Sequence, residues 1–165
     1  MRADSSSNAP NAAPSVVLAI DPGKDKCGVA LVKAEGFDSD RVLDSLLESV
    51  LERRIVPRAI AVDDICETLT RFPDAQTVIG HATTSRALLD ELQRALPHLT
   101  IHTVDETGST LEARGLYWRA NPPRGWRKLW PLSSQVPPES VDDFAAVVLA
   151  ARFLSSTRSL NQHCA

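Results

Sequence analysis

A chain of 165 residues with 24% charged side chains and a net charge of −3 has the size and composition of one soluble domain with its own core. The acidic balance argues against a general nucleic-acid coat protein, while leaving room for local basic patches. No apolar stretch approaches the roughly 20 residues of a membrane helix, no basic-then-apolar leader opens the chain, and Cys27, Cys66 and Cys164 form neither a Cys-x-x-Cys pair nor a zinc pattern. A cytoplasmic protein with reduced thiols and no membrane partner is expected.

Residues 1–15 are Ser, Asn, Ala and Pro with little to bury, and read as a disordered tail. The apolar run Val16–Ile20 reads as a buried strand that stops abruptly at Asp21. Pro22-Gly23 supplies a turn, and a second strand follows over Gly28–Lys33. A third strand is expected within Leu43–Ile55, where Leu46, Leu47, Val50 and Leu51 fit neither strand nor helix period cleanly. Pro57 can open a helix, with Ile60, Ile65, Leu69 and Phe72 as its apolar face and Pro73 as its stop. A fourth strand is expected over Gln76–Gly80. Thr83 or Thr84 would cap a helix carrying Leu88, Leu89, Leu92 and Leu96, and a fifth strand over Leu99–Val104 ends at Asp105-Glu106.

Ser109-x-x-Glu112 has the form of a capping box, which predicts a helix to about Trp118. Residues 120–138, rich in Pro, Arg and Trp, read as an ordered loop. The last helix opens near Glu139-Ser140-Val141-Asp142-Asp143 and runs to about Leu154, leaving 156–165 as a C-terminal tail. The order predicts an α/β domain over 16–155, with a mixed five-stranded sheet whose first three strands are antiparallel and whose faces carry helices.

Acidic residues stand where these elements end or begin. Asp21 follows the first strand, Asp105 and Glu106 follow the last, and Asp142 and Asp143 fall in the first turn of the final helix. A carboxylate at the end of a buried strand is costly to desolvate without compensation. Three such groups about 5 Å apart would repel by roughly 3 kcal/mol per pair at an effective dielectric near 20. Oxygen-only ligation suits Mg²⁺ or Mn²⁺, and two such ions can activate a water and stabilise the leaving oxygen of a phosphodiester. Each acid also has a plainer explanation: a turn for Asp21, a helix approach for Asp105 and Glu106, and helix-dipole stabilisation for Asp142 and Asp143. Ser140 is the more natural cap, so two further acids exceed what capping needs. Glu139, three residues before Asp142, is an auxiliary acid that Pro137-Pro138 would hold outside the helix.

Three segments in order carry a resemblance. Asp21-Pro22-Gly23 with Gly28-Val29-Ala30, then Asp105-Glu106-Thr107-x-Ser109-Thr110-Leu111-Glu112-Ala113-Arg114, then Val141-Asp142-Asp143-Phe144-Ala145-Ala146-Val147 resemble the YqgF family, RuvC-related, Holliday-junction-resolvase-like nucleases of the RNase H fold. The resemblance spans residues 16–154. It implies an RNase H-like sheet, a divalent-metal nuclease, and a role in pre-16S rRNA 5′ maturation or branched-DNA resolution. By motif position it implies Asp21, Glu106 and Asp142 as catalytic, metal-binding carboxylates, with Asp105 and Asp143 as substitutes or supports. RuvC-type enzymes carry an acid at the end of the fourth strand, whereas here that strand ends Ile79-Gly80-His81. YqgF proteins place their acids after the following strand, as this chain does, but their Leu-Pro after the fourth strand is missing. Glu139-x-x-Asp142 echoes the paired acids of RuvC.

Arg114, Arg119, Arg124, Arg127 and Lys128 are interleaved with Tyr117, Trp118, Trp126 and Trp130, the last three being all the tryptophans of the chain. Cations neutralise phosphates and aromatics stack on unpaired bases. Arg114, Arg124, Trp126, Arg127 and Lys128 are therefore candidate nucleic-acid contacts, and Trp118 on its helix reads as core. Lys24 and Lys26 are candidate phosphate contacts beside Asp21, or exposed turn residues. His81 could touch the site from its strand end, although a lone histidine is more often a surface group. The partner expected is branched DNA, structured RNA, or both. A homodimer would suit a two-fold junction, though no residue specifies one. The competing function is a non-catalytic nucleic-acid-binding or ribosome-assembly factor of the same fold. The Asp-x-Gly hairpin also occurs in sugar kinases and actin-like ATPases, but those need two such domains around a nucleotide.

Overall fold

The computed structural model describes residues 15–35, 42–81, 83–129, 131 and 135–163. The expected tail at 1–14, Trp130 and Cys164 lie outside the described residues.

Five strands form one sheet in the order β3-β2-β1-β4-β5. Strands β1 (Val16–Pro22), β2 (Lys26–Lys33) and β3 (Val50–Pro57) pair antiparallel, while β4 (Gln76–Gly80) and β5 (Ile101–Val104) continue outward from β1 in parallel. This is the mixed sheet expected from the element order. Its two faces bury separate cores. Val17, Ala19, Ala30 and Val32 point to one, and Leu18, Ile20, Val29 and Leu31 to the other. Coverage on both faces explains why β1 and β2 read as continuous apolar runs without alternation. β3 is an edge strand, and its Glu52, Arg53 and Arg54 charge that edge in the way sheets resist pairing with another chain.

The first core lies beneath α4 (Ser109–Ala120) and α5 (Asp142–His163), and the second beneath α2 (Ala61–Arg71) and α3 (Ser85–Ala95). α5 has Ala145, Ala146, Ala150 and Ala151 among its buried residues. Their small side chains let it lie close over β1 and β2.

Several boundaries differ from the sequence reading. The segment Leu43–Ile55 holds both a short helix, α1 (Val42–Ser49), and the start of β3, with no turn residue between them, so no single period fits. Pro57 closes β3 in an extended conformation (ψ 136°), and a 3₁₀ turn at Arg58–Ile60 delays α2 to Ala61. Ile60 therefore falls outside the apolar face and is exposed. The box Ser109-x-x-Glu112 does not form: Gly108, at φ 78°, occupies the cap position without a side-chain bond, and Glu112 pairs with Arg152. α5 continues past Leu154 to His163, through residues expected as a tail. Ser156, Thr157 and Ser159 turn their hydroxyls back onto helix carbonyls at 2.8, 2.9 and 3.0 Å, so these polar residues are satisfied inside the helix.

Candidate functional site

Because β1, β4 and β5 are parallel, their C-terminal ends share one edge of the sheet. The connection from β1 leaves toward β2, and that from β4 leaves toward β5. A crevice opens at such a switch point in α/β sheets. Asp21 stands there, in register with Gly28 of β2. The hydroxyl of Thr84 donates to the carbonyl of Pro22 at 2.6 Å, tying the start of α3 to the end of β1. Thr84 does occupy the cap position of α3, but its hydroxyl makes this crossing bond and leaves the helix uncapped.

Glu106 reaches the same crevice from the loop after β5. A Cβ added to Gly80 would lie 2.8 Å from Glu106 Oε2 and 3.5 Å from Pro22 Cδ. The absent side chain at the end of β4 is the space the Glu106 carboxylate uses. This accounts for a fourth strand without an acid: the fifth strand delivers one across a glycine. Asp142 arrives on α5, whose first turn rests directly on β2. A Cβ at Gly28 would fall 1.9 Å from the carbonyl oxygen of Asp142 and 2.3 Å from its carbon. Only glycine permits this approach, since backbone atoms cannot yield as a side chain can.

Asp21 feels the other two carboxylates. Burial, then the negative charges of Glu106 and Asp142, push Asp21 up from 3.8 to about 7. Neither Asp21 nor Glu106 has an ion-pair partner among the described residues, whereas Asp142 Oδ2 lies 3.0 Å from Lys26 Nζ. Among the described residues, no three His, Cys, Asp or Glu side chains are close enough together to cage a metal ion as they stand. The donor set nonetheless suits a hard divalent cation. It is oxygen-only, and it holds a half-buried carboxylate whose ionisation its setting disfavours.

The other acids have separate tasks. Asp143 is buried and pairs with Arg53 of β3, whose guanidinium lies 4.0 Å over the Phe144 ring. It thus fastens α5 to the far side of the sheet. Asp105 is exposed, and its Oδ1 accepts from Thr107 N at 3.0 Å and Thr107 Oγ1 at 2.7 Å. Those bonds from the Thr107 backbone and hydroxyl hold its carboxyl below the usual range. Glu139 is exposed in the bend before α5. His81 donates its backbone N–H to Val104 at 2.9 Å, and its exposed side chain lines a groove with Arg86 and Thr103.

Arg152, which sequence reasoning passed over, organises the Glu106 loop. Its guanidinium donates to the carbonyls of Asp105 (2.6 Å) and Thr107 (2.9 Å) and to Glu112 Oε1 (2.7 Å). The available signal was a single charge inside the otherwise apolar run Phe144–Leu154. Both carbonyls flanking Glu106 are thereby fixed from α5, the same helix that carries Asp142.

On the basic segment, Arg114 and Arg124 are exposed and Trp126 is 69% exposed in a 3₁₀ turn at Gly125–Leu129. Arg127 and Lys128 belong to that turn. Trp118 is buried, as its helical position suggested, and packs edge-on against Tyr117, which meets Phe144 in turn. Lys24 is exposed in the turn after β1.

Solved structures of RuvC share this fold. Thermus thermophilus RuvC superimposes with a TM-score of 0.53 at 14% identity, covering 87% of this chain and 96% of that one. T. thermophilus RuvC in complex with a Holliday junction substrate matches with a TM-score of 0.53 at 14% identity, covering 87% of this chain and 94% of that one. No family model and no curated protein matches the sequence. The fold is therefore RNase H-like, as the resemblance implied. Among the described residues, no helix is long and apolar enough to cross a membrane.

Proposed function

We propose that this chain is a divalent-metal-dependent nuclease that hydrolyses phosphodiester bonds in structured nucleic acid, with branched DNA as its first substrate class. One observation carries the reading. Carboxylates from three distant segments lie within electrostatic reach at the switch point of the sheet, where burial first and then Glu106 and Asp142 disfavour ionisation of Asp21. A structural role gives no reason to gather them. Asp21, Glu106 and Asp142 would hold the ions, Mg²⁺ or Mn²⁺. A metal held there would supply an activated water and charge stabilisation at the leaving oxygen. Asp21, central and half-buried, orients the set. Gly80 leaves room for Glu106, and Arg152 fixes the loop that aims it. Arg114, Arg124, Trp126, Arg127 and Lys128 are assigned to the phosphates and unpaired bases of the substrate, with Lys24 and Lys26 nearer the carboxylates.

The RuvC likeness supports branched DNA, since one of the matching structures is a complex with a Holliday junction substrate. The YqgF-like motif order, with acids after the fifth strand, supports structured RNA as a second class. A dimer carrying two such sites would suit a two-fold junction.

The test incubates purified protein with a labelled four-way junction, structured RNA and single-stranded DNA, with Mn²⁺, Mg²⁺ or EDTA and an Asp21→Asn control. Metal-dependent cleavage lost in the variant, with substrate binding retained, supports the reading and identifies the polymer. Binding without cleavage on every substrate with both metals refutes it in favour of an assembly factor.

A further inference from the structure

Among the described residues, Lys26 is the one cation ion-paired with any of the three carboxylates, through Asp142. Its backbone is clamped: Gly23 N donates to Lys26 O at 3.0 Å, and a Cβ at residue 23 would lie 2.4 Å from that oxygen. From this fixed base Nζ lies 3.0 Å from Asp142 Oδ2 and donates to Ser140 Oγ at 2.6 Å. Ser140, expected as a helix cap, serves instead as a second anchor for the ammonium. The Lys26 side chain remains 47% exposed, so its end can leave without disturbing the core.

We infer that Lys26 is an exchangeable counter-charge: it neutralises Asp142 when the site holds no metal, and a divalent cation must displace it to be ligated there. The inference rests on the reading of Asp21, Glu106 and Asp142 as metal ligands. An ammonium and a divalent ion compete for the same carboxylate oxygen, and the doubly charged ion gains more from the three acids. Lys26 thus lowers apparent metal affinity and spares the metal-free protein part of the repulsion. Displaced, the ammonium sits at the crevice mouth on a flexible stem, where a backbone phosphate of the substrate would pass. Lys24, in the same turn, has no ion pair with these acids and provides a matched control.

The test is Mn²⁺ titration of the EDTA-stripped full chain, read by electron paramagnetic resonance and by calorimetry, for wild type, Lys26→Met, Lys24→Met and Ser140→Ala. Loss of a half-exposed ion pair predicts about fivefold tighter Mn²⁺ binding by Lys26→Met. Ser140→Ala, which alters no charge, should tighten binding by a smaller factor, and Lys24→Met should leave it unchanged. Equal or weaker binding by Lys26→Met overturns the exchange and leaves the nuclease reading standing. Equal tightening by Lys24→Met also overturns it, because the effect would then be diffuse charge. Absence of Mn²⁺ binding by both wild type and Lys26→Met refutes the metal site and the exchange together. Circular dichroism melts confirm that the variants are folded.

Discussion

Replacing Asp21 with Asn should stabilise the metal-free protein at neutral and alkaline pH while abolishing cleavage. Asp21 is held at about 7, against 3.8 for the ordinary group, first by burial and then by Glu106 and Asp142. The native state therefore keeps a proton that the unfolded chain releases. Stability is greatest below the ordinary aspartate value and is lost as pH rises through the window from about 4 to 7. At about 1.4 kcal/mol per pKa unit, the full effect at pH 8 is about 4 kcal/mol. Partial exposure and ionic screening reduce it to about 2 kcal/mol, or about 4–8 °C in melting temperature for a domain of this size. Asn keeps the shape without the charge. Thermal melts from pH 4.5 to 8.5 in EDTA should show the two proteins converging at the acid end and the variant pulling ahead above neutrality. Mg²⁺ should raise wild type and leave the variant nearly unmoved. A variant less stable than wild type at pH 8 in EDTA, or one with the same pH slope, would refute the electrostatic account.

Gly80→Ala should cost about 1 kcal/mol of stability, because its Cβ meets the mobile ends of Glu106 and Leu149 at 2.8 and 3.1 Å. Displacing Glu106 should weaken Mn²⁺ binding, and unchanged calorimetric affinity would remove Glu106 from the site. Asp143→Asn leaves Arg53 without its charge partner and should destabilise the fold by about 2 kcal/mol with metal affinity intact. Lost cleavage in a variant still folded at the assay temperature would instead put Asp143 in the chemistry. Arg152→Met should loosen the loop around Glu106, seen as faster amide exchange at residues 105–109 and weaker metal binding. A loop with unaltered exchange would show that Arg152 does not hold it.

The buried strands and the acids at their ends were legible because a two-sided sheet forces continuous apolar runs, and a carboxylate interrupting one is conspicuous. Asp21 and the Asp105-Glu106 step were visible on those grounds. The boundary at Ser49/Val50 was not, since a short helix passes into an edge strand with no Gly, Pro or Asn to mark it. Adjacent Asp142 and Asp143 could not be separated from spacing. Their opposite tasks depend on a Lys from β2 and an Arg from β3 reaching different faces of the first turn of α5. Ser109 and Glu112 matched a capping pattern, but the long-range partner Arg152 claimed the glutamate. In the last two cases a distant tertiary contact outcompeted a local rule.

The contact of α5 with the backbone of Gly28 also bears on the order of assembly. β1 and β2 are neighbours along the chain and can pair early, whereas α5 must close a long loop before its first turn reaches them. Asp142 can join Asp21 and Glu106 only when α5 docks, so the repulsion among the acids arises at that docking. Any nascent or partly folded chain lacking the docked helix has two of the three carboxylates and no complete centre. The proposed centre is therefore complete only once the fold has closed, and a cation bound at the crevice would act as the latch on the final helix.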